Sequence, residues 1–171
     1  MTTEHLGFRP WSAGDLPLAN ALWGDPKVTA LIGGPFNEEQ VKARLHAEIA
    51  GMDVHSVQYW PIFLLPGDEH VGCAGLRPYR ILHLTYEIGF HLRPAYWGRG
   101  LAEEAARAVI AFAFETVGAK AIFAGHHPRN LASRRIIGKL GFRHTHDERY
   151  PPTGLNHPSY LLQAPTYPLS S

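Results

Sequence analysis

Gly98 and Gly100 are two residues apart, between a run that alternates like a strand, Leu84 to Leu92, and a run with helical spacing, Leu101 to Val117. Glycine lets a backbone adopt left-handed conformations and come close to a ligand. The first turn of the following helix adds unpaired N–H groups and the positive end of its dipole. Together they make a cradle for an anion such as a pyrophosphate. Arg99 between the glycines either adds charge near that anion or is an ordinary solvated arginine. Gly-x-Gly alone also marks plain strand-to-helix turns, so the flanking segments decide what the loop is for.

The run before the loop carries a second candidate. Alternation puts Leu84, Tyr86, Ile88, Phe90 and Leu92 on one face and Thr85, Glu87, Gly89 and His91 on the other. Glu87 thus points away from the aromatic side chains. Burial there would raise its pKa toward the range of a base working near neutral pH; the plainer alternative is a structural bond to a neighbouring loop. Gly89 inside a strand marks a bulge or a close approach of another group.

The elements that position these residues follow in order. Leu6 to Trp11 reads as a strand, and a helix opened at Ser12 or Gly14-Asp15 runs to Trp23, closed by Asp25-Pro26. Lys27 to Phe36 is a loop with a Gly33-Gly34-Pro35 turn signal. Asn37 and Gln40 form a capping box for a helix with Val41, Leu45 and Ile49 inward, Glu38, Glu39, Lys42 and Glu48 wet, and Gly51 at its end. Val57 to Leu65 and His70 to Leu76 make a hairpin around Pro66-Gly67-Asp68-Glu69. After the glycine loop and its helix, stopped by Gly118, come a strand at Ala119 to Gly125 and a helix headed by Asn130 and ending at Gly141. A strand from Phe142, a turn at Pro151 to Gly154 and a strand at Ser159 to Gln163 close the fold. This order predicts an α/β (mixed α+β) sheet of six or seven strands with helices on both faces, in one domain over residues 1–171, with 164–171 an irregular tail.

Composition narrows the class. The length of 171 residues suits one domain, and 45% apolar with 18% charged residues describes a globular chain. A net charge of +1 supplies no general attraction to nucleic acid or an anionic membrane, and neither partner is expected. Cys73 is the single cysteine, so no internal disulfide forms, and its apolar context reads as a buried, inert thiol. No apolar run reaches the roughly 18 residues of a membrane span, and no leader peptide is read, so a cytoplasmic location is expected. His126-His127 and His144-x-His146 have spacings that can share a metal ion, but no Cys, Asp or Glu spacing completes a zinc site, and no metal is expected.

The string Pro94-x-x-Trp97-Gly98-Arg99-Gly100-Leu101-Ala102-x-Glu104-Ala105 resembles the coenzyme A pyrophosphate loop of the GNAT superfamily of N-acetyltransferases. Asn130-Leu131-Ala132-Ser133, leading to Lys139-Leu140-Gly141-Phe142, is similar to the Asn-x-x-Ser helix of the branch related to ribosomal-protein N-terminal acetyltransferases. The opening Leu6 to Trp11 and Leu22-Trp23-x-Asp25-Pro26 also resemble that branch. The resemblance implies the GNAT fold, whose central strands splay apart to admit the coenzyme, and an N-acetyltransferase that moves an acetyl group from acetyl-CoA to a primary amine by direct attack in a ternary complex. It implies that the backbone of Phe90-His91-Leu92 pairs with the pantetheine arm, that amides from Trp97, Gly98, Arg99, Gly100, Leu101 and Ala102 hold the pyrophosphate, and that Asn130 both caps its helix and bonds the arm. Trp97 departs from the family's usual Gln or Arg.

Two of the family's usual catalytic groups are missing. Ile137 stands where many members carry the tyrosine that protonates the leaving thiolate, and Gly125 where many carry a glutamate. Ser133 becomes the candidate donor to the sulfur, unless its hydroxyl only bonds its own backbone. Glu87 becomes the candidate base, with Glu148 the runner-up. His157 with Tyr160, and Tyr59 with Trp60, are candidates to wall the acceptor side. The acceptor is a small amine or a protein N-terminus, and the protein a monomer or homodimer. The missing groups also motivate an alternative, a coenzyme-A-binding sensor or partner module with weak catalysis.

Overall fold

The computed structural model describes residues 1–165. The last part of the expected tail, 166–171, lies outside the described residues. Strands β1 (Leu6–Phe8), β2 (Tyr59–Leu64), β3 (His70–Arg80), β4 (Thr85–Leu92), β5 (Ala121–Gly125), β6 (Arg143–Tyr150) and β7 (Leu155–Gln163) form a seven-stranded mixed sheet in the order β1-β2-β3-β4-β5-β7-β6. Helices α1 (Leu16–Trp23), α2 (Pro26–Thr29), α3 (Glu38–His55), α4 (Leu101–Phe112) and α5 (Leu131–Lys139) connect them. No described helix is long and apolar enough to cross a membrane.

Among the described strands only β4 and β5 run parallel, and they pair at Thr85↔Ala121, Tyr86↔Ile122 and Glu87↔Phe123 before the pairing stops. Beyond that point β4 keeps its ladder with β3 out to Gly72↔Leu92, while β5 keeps its own with β7 out to Gly125↔Ser159. The two central strands therefore part. Alternation shows what the open edge offers. The Arg93 N–H donates to Val71 O at 2.9 Å, so the N–H and C=O groups of His91 and Gly89 also turn to β3, and those of Phe90 and Leu92 turn to the gap.

Each face of the sheet has its own core. Leu101, Ala105 and Val109 of α4 join Trp60, Ile88 and Leu92 on one side. Trp23 of α1 and Val41 and Leu45 of α3 join Tyr59 and Cys73 on the other. The capping box forms as read: Asn37 Oδ1 accepts from Gln40 N at 2.9 Å, and the Gln40 carboxamide accepts from Asn37 N at 2.9 Å.

Several boundaries differ from the sequence reading. The loop after Asp25 begins with the short α2, because Asp25 caps it by accepting from Lys27 N at 2.8 Å. Gly51 does not end α3, which continues to His55 and stops where Ser56 turns left-handed, φ 57°. The helix after the glycine loop is α-helical only to Phe112; Ala113–Val117 widens into a π turn before Gly118.

The main correction is Glu48. Placed on the wet side of α3 by its charge, it is 2% exposed. Its carboxylate accepts from Arg44 Nε at 3.2 Å, from an Arg77 terminal nitrogen, and from the Tyr59 N–H at 2.8 Å. Three donors on three elements replace the water it gives up. Replacing Glu48 by Ala should cost about 3–5 kcal/mol, because both guanidiniums then lose their buried partner. Urea unfolding of Glu48→Ala beside Glu38→Ala, an exposed position on the same helix, checks this; equal midpoints would contradict it.

Candidate active site

The gap opens into two adjoining cavities. One, of about 340 Å³, runs along the open edge of β4 to the glycine turn and is lined by Phe90, His91, Leu92, Trp97, Gly98, Ala102, Asn130 and Ser133. The other, of about 280 Å³, lies toward α3 and is lined by Arg44, Tyr59, Arg77, Glu87, Glu148 and His157, among others. Phe90, His91, Asn130 and Ser133 face both. Most of the residues singled out from the sequence thus meet in one cleft.

The glycine turn is built for close approach of an anion. Gly98 and Gly100 have φ of 73° and 78°, and a Cβ on either would meet nothing within 4 Å. Glycine is required there by the backbone angle, and the space above stays open. Glu104 N donates to Gly100 O at 3.1 Å, which starts α4 and leaves the Leu101, Ala102 and Glu103 N–H groups without intrahelical partners. Two carboxylates in this first turn would oppose an anion, but both are engaged elsewhere. Glu104 accepts from the Thr3 hydroxyl and from His5 N at 2.9 Å, and Glu103 pairs with Arg107 at 2.8 Å and Lys139 at 3.1 Å. The chemistry of the donors fits a pyrophosphate.

Trp97, the departure from the usual residue, has a specific role. Its indole N–H donates to Leu92 O at 2.8 Å, tying the loop to the end of β4 and satisfying one of the groups turned to the gap. Arg99 lies over the Tyr96 ring at 5.5 Å, beside the turn. Lys27 of α2 also lines the larger cavity, a cation the sequence reading left in a loop.

Asn130 caps α5, its Oδ1 accepting from Ser133 N at 3.0 Å, which leaves its amide nitrogen for the cleft. The Ser133 hydroxyl makes no hydrogen bond with a described residue, so the backbone-bonded alternative does not hold. Ile137, where a tyrosine is common, is buried in the core at 2% exposure.

Glu87 stands opposite Arg77 in the β3–β4 ladder. Burial raises its pKa, and the Arg77 and Arg44 charges oppose that rise. No described residue hydrogen-bonds its carboxylate, so the structural alternative of a bond to a nearby loop is not realised. Glu148, by contrast, accepts from the Tyr79 hydroxyl at 2.5 Å and lies 3.3 Å from His146 Nε2. Gly89 marks a close approach: a Cβ there would come within 2.3 Å of the Tyr59 ring. The phenol therefore lies on β4 between Glu87 and His91. The His91 side chain accepts from the Trp23 indole at 3.2 Å, and burial holds its pKa well below the usual value. Burial also pushes the Cys73 thiol up to about 12, which makes it inert.

The four residues expected to wall the acceptor side do not share one face. Tyr59 and His157 line the smaller cavity. Trp60 points to the opposite face, edge-on to Phe112 at 5.2 Å, because it is adjacent to Tyr59 on the strand. Tyr160 bonds His126 Nε2 at 3.2 Å instead of facing the cleft. His127, edge-on to His157 at 5.5 Å, does face it. Among the described residues no three His, Cys, Asp or Glu side chains converge as for a metal.

An open edge in a splayed mixed sheet, with a glycine turn at its end, defines a class, and the sequence comparison agrees. Residues 5–143 match the model of the acetyltransferase (GNAT) domain, and the chain belongs to this acetyltransferase family, whose donor is acetyl-CoA. It is similar to an uncharacterised N-acetyltransferase of Bacillus subtilis strain 168, 30% identical over 144 residues that cover 84% of this chain and 82% of that one. A GNAT-family acetyltransferase from Bacillus anthracis superposes with a TM-score of 0.81 at 26% identity, over 95% of this chain and 97% of the other. The ribosomal L7/L12 alpha-N-protein acetyltransferase RimL, in complex with coenzyme A, shares the fold with a TM-score of 0.82 at 13% identity, over 96% and 97% of the two chains.

The buried neutral His91 has a consequence for pH. Its folded pKa is depressed, so below about 6.5, the ordinary histidine value, the unfolded chain binds a proton that the folded chain refuses. Its contribution to stability is complete above that pH and declines as pH falls. The thermal midpoint of the wild type should therefore drop more steeply between pH 7 and pH 5 than that of His91→Leu; parallel curves would show that His91 takes up its proton in the folded protein.

Proposed function

We propose that the chain is an N-acetyltransferase that transfers the acetyl group of acetyl-CoA to a primary amine, both bound together. The observation that carries this is the open edge of β4, with the Phe90 and Leu92 N–H groups turned into a gap that ends at the glycine turn. Acetyl-CoA supplies an acyl group activated as a thioester. The edge amides would pair with the pantetheine arm and stabilise charge on the acyl oxygen. The amides of Gly98 to Glu103 would hold the pyrophosphate, with Lys27 and Arg99 as nearby cations, and the Asn130 amide nitrogen would bond the arm. Glu87, unbonded and on the α3 side, would take the proton that the amine sheds on attack. Ser133 would donate a hydrogen bond to the departing sulfur, a weaker aid than a proton from an acid. The resemblance to the ribosomal-protein branch supports a protein N-terminus as one acceptor class, and the small volume of the inner cavity supports a small amine. Ile137, buried where an acid is usual, favours a second reading, a coenzyme-A-binding module of weak catalysis.

Free-thiol release with a broad panel of amines tests the assignment: turnover with one amine class supports the enzyme, and tight coenzyme binding without turnover supports the module. Gly100→Arg should abolish the rise in melting temperature with acetyl-CoA, a rise worth about 2.7 kcal/mol in the wild type at a hundredfold excess over Kd. The variant itself should lose about 1–2 kcal/mol of stability, since φ is positive there; an unchanged coenzyme response would remove the loop from the site. Glu87→Gln should lower kcat by about 10²-fold or more with little change in coenzyme affinity, and normal turnover would exclude it as the base.

A further inference from the structure

The inner cavity holds opposite charges that face the same space without meeting. Arg44 and Arg77 both line it, at 16% and 34% side-chain exposure. Each makes one hydrogen bond to a described residue, in both cases to Glu48 Oε1, Arg44 through Nε and Arg77 through one terminal nitrogen. A guanidinium has five N–H donors. The Arg44 terminal nitrogens and the second Arg77 terminal nitrogen have no bond among the described residues. Their planes are held in place: Arg77 lies 4.3 Å over the Tyr59 ring, and Arg44 5.0 Å over the Trp23 ring. Glu87, opposite Arg77 in the ladder, also lines the cavity and has no hydrogen bond to a described residue.

We infer that the acceptor is a free α-amino acid, its ammonium group on Glu87 and its carboxylate on the spare donors of Arg44 and Arg77. This rests on the acetyltransferase reading above and names its substrate class. The charges support it. Three guanidiniums lining the cavity, Arg44, Arg77 and Arg149, against the carboxylates of Glu48, Glu87 and Glu148 sum to zero, and a zwitterion keeps that sum at zero while pairing the spare groups of Arg44, Arg77 and Glu87. A polyamine would add uncompensated positive charge beside two arginines. A peptide N-terminus offers a neutral carbonyl where the carboxylate would sit, a weaker acceptor for a guanidinium than a carboxylate. Glu148, which accepts from the Tyr79 hydroxyl, and its neighbour Arg149 cancel in that count, and neither is hydrogen-bonded to Arg44, Arg77 or Glu87. A cavity of about 280 Å³ suits a small molecule, not a chain.

The test compares three matched sets in the free-thiol assay with acetyl-CoA: the twenty L-amino acids, their α-amides, and the amines that lack the carboxyl group. The best amino acid should exceed its own amide and its own amine in kcat/KM by about tenfold or more, the worth of one charged hydrogen bond. Arg77→Gln should bring the ratio of amino acid to amide close to one. Arg44→Gln, whose bond to Glu48 lies within α3 and does not tie two elements together, serves if Arg77→Gln does not fold. Amides or simple amines turned over as well as the acids would overturn the substrate assignment and leave the acetyltransferase intact. Thiol release with no member of any set would overturn the substrate assignment, and failure of N-terminal peptides as well would overturn the acetyltransferase reading.

Discussion

The early end of the β4–β5 ladder is the constraint on which the rest of this structure depends. Three residue pairs hold the strands together, and then each strand keeps only its outer partner. Backbone groups along the parted edges are left for something other than the sheet to satisfy. The molecule answers part of that need itself, through the Trp97 indole on Leu92 O. The remainder is an extended row of donors and acceptors, the surface to which a strand-like ligand adds. The glycine turn lies at the far end of that row, so one continuous path joins an anion cradle to the middle of the sheet.

The α3 side of the gap is held by a buried polar network instead of an apolar plug. Glu48 binds Arg44 of its own helix, Arg77 of β3 and the backbone of β2. The next residue back, Gln58, donates to Glu48 O at 2.9 Å and accepts from Trp11 N at 2.8 Å. Trp11 in turn donates its indole N–H to Tyr59 O at 2.6 Å. Tyr59 is thereby fixed at both backbone ends, and its ring is pressed over Gly89. Such a network contributes more to specifying one arrangement than to net stability. Here the arrangement it specifies puts two guanidiniums and one carboxylate around a small polar space.

Much of this could be read from the chain because it depends on short-range chemistry. Alternation along Thr85 to Leu92 put Glu87 and His91 on one face, and the Gly98–Gly100 spacing located the turn. Asn130 was legible as a cap because its partner is three residues away. What could not be read depends on partners far along the chain. Glu48 looked solvated because charge alone places a residue outside, and Arg77, the ion that brings it inside, is 29 residues on. Gly89 signalled a close approach but not that Tyr59 makes it. Lys27 was hidden by a loop that folds into a short helix, and Trp60 was assigned to the wrong face by being grouped with its neighbour.

The central claim is that the open edge of β4 and the glycine turn receive one extended ligand. Amide hydrogen exchange, resolved by residue with NMR and measured with and without acetyl-CoA, tests it most directly. The account predicts new protection at Phe90, at Leu92 and through Gly98 to Glu103, while the amides of His91 and Gly89, already bonded to β3, keep the rates they had. Protection confined to the glycine turn, or spread evenly over the sheet with no preference for Phe90 and Leu92, would contradict it.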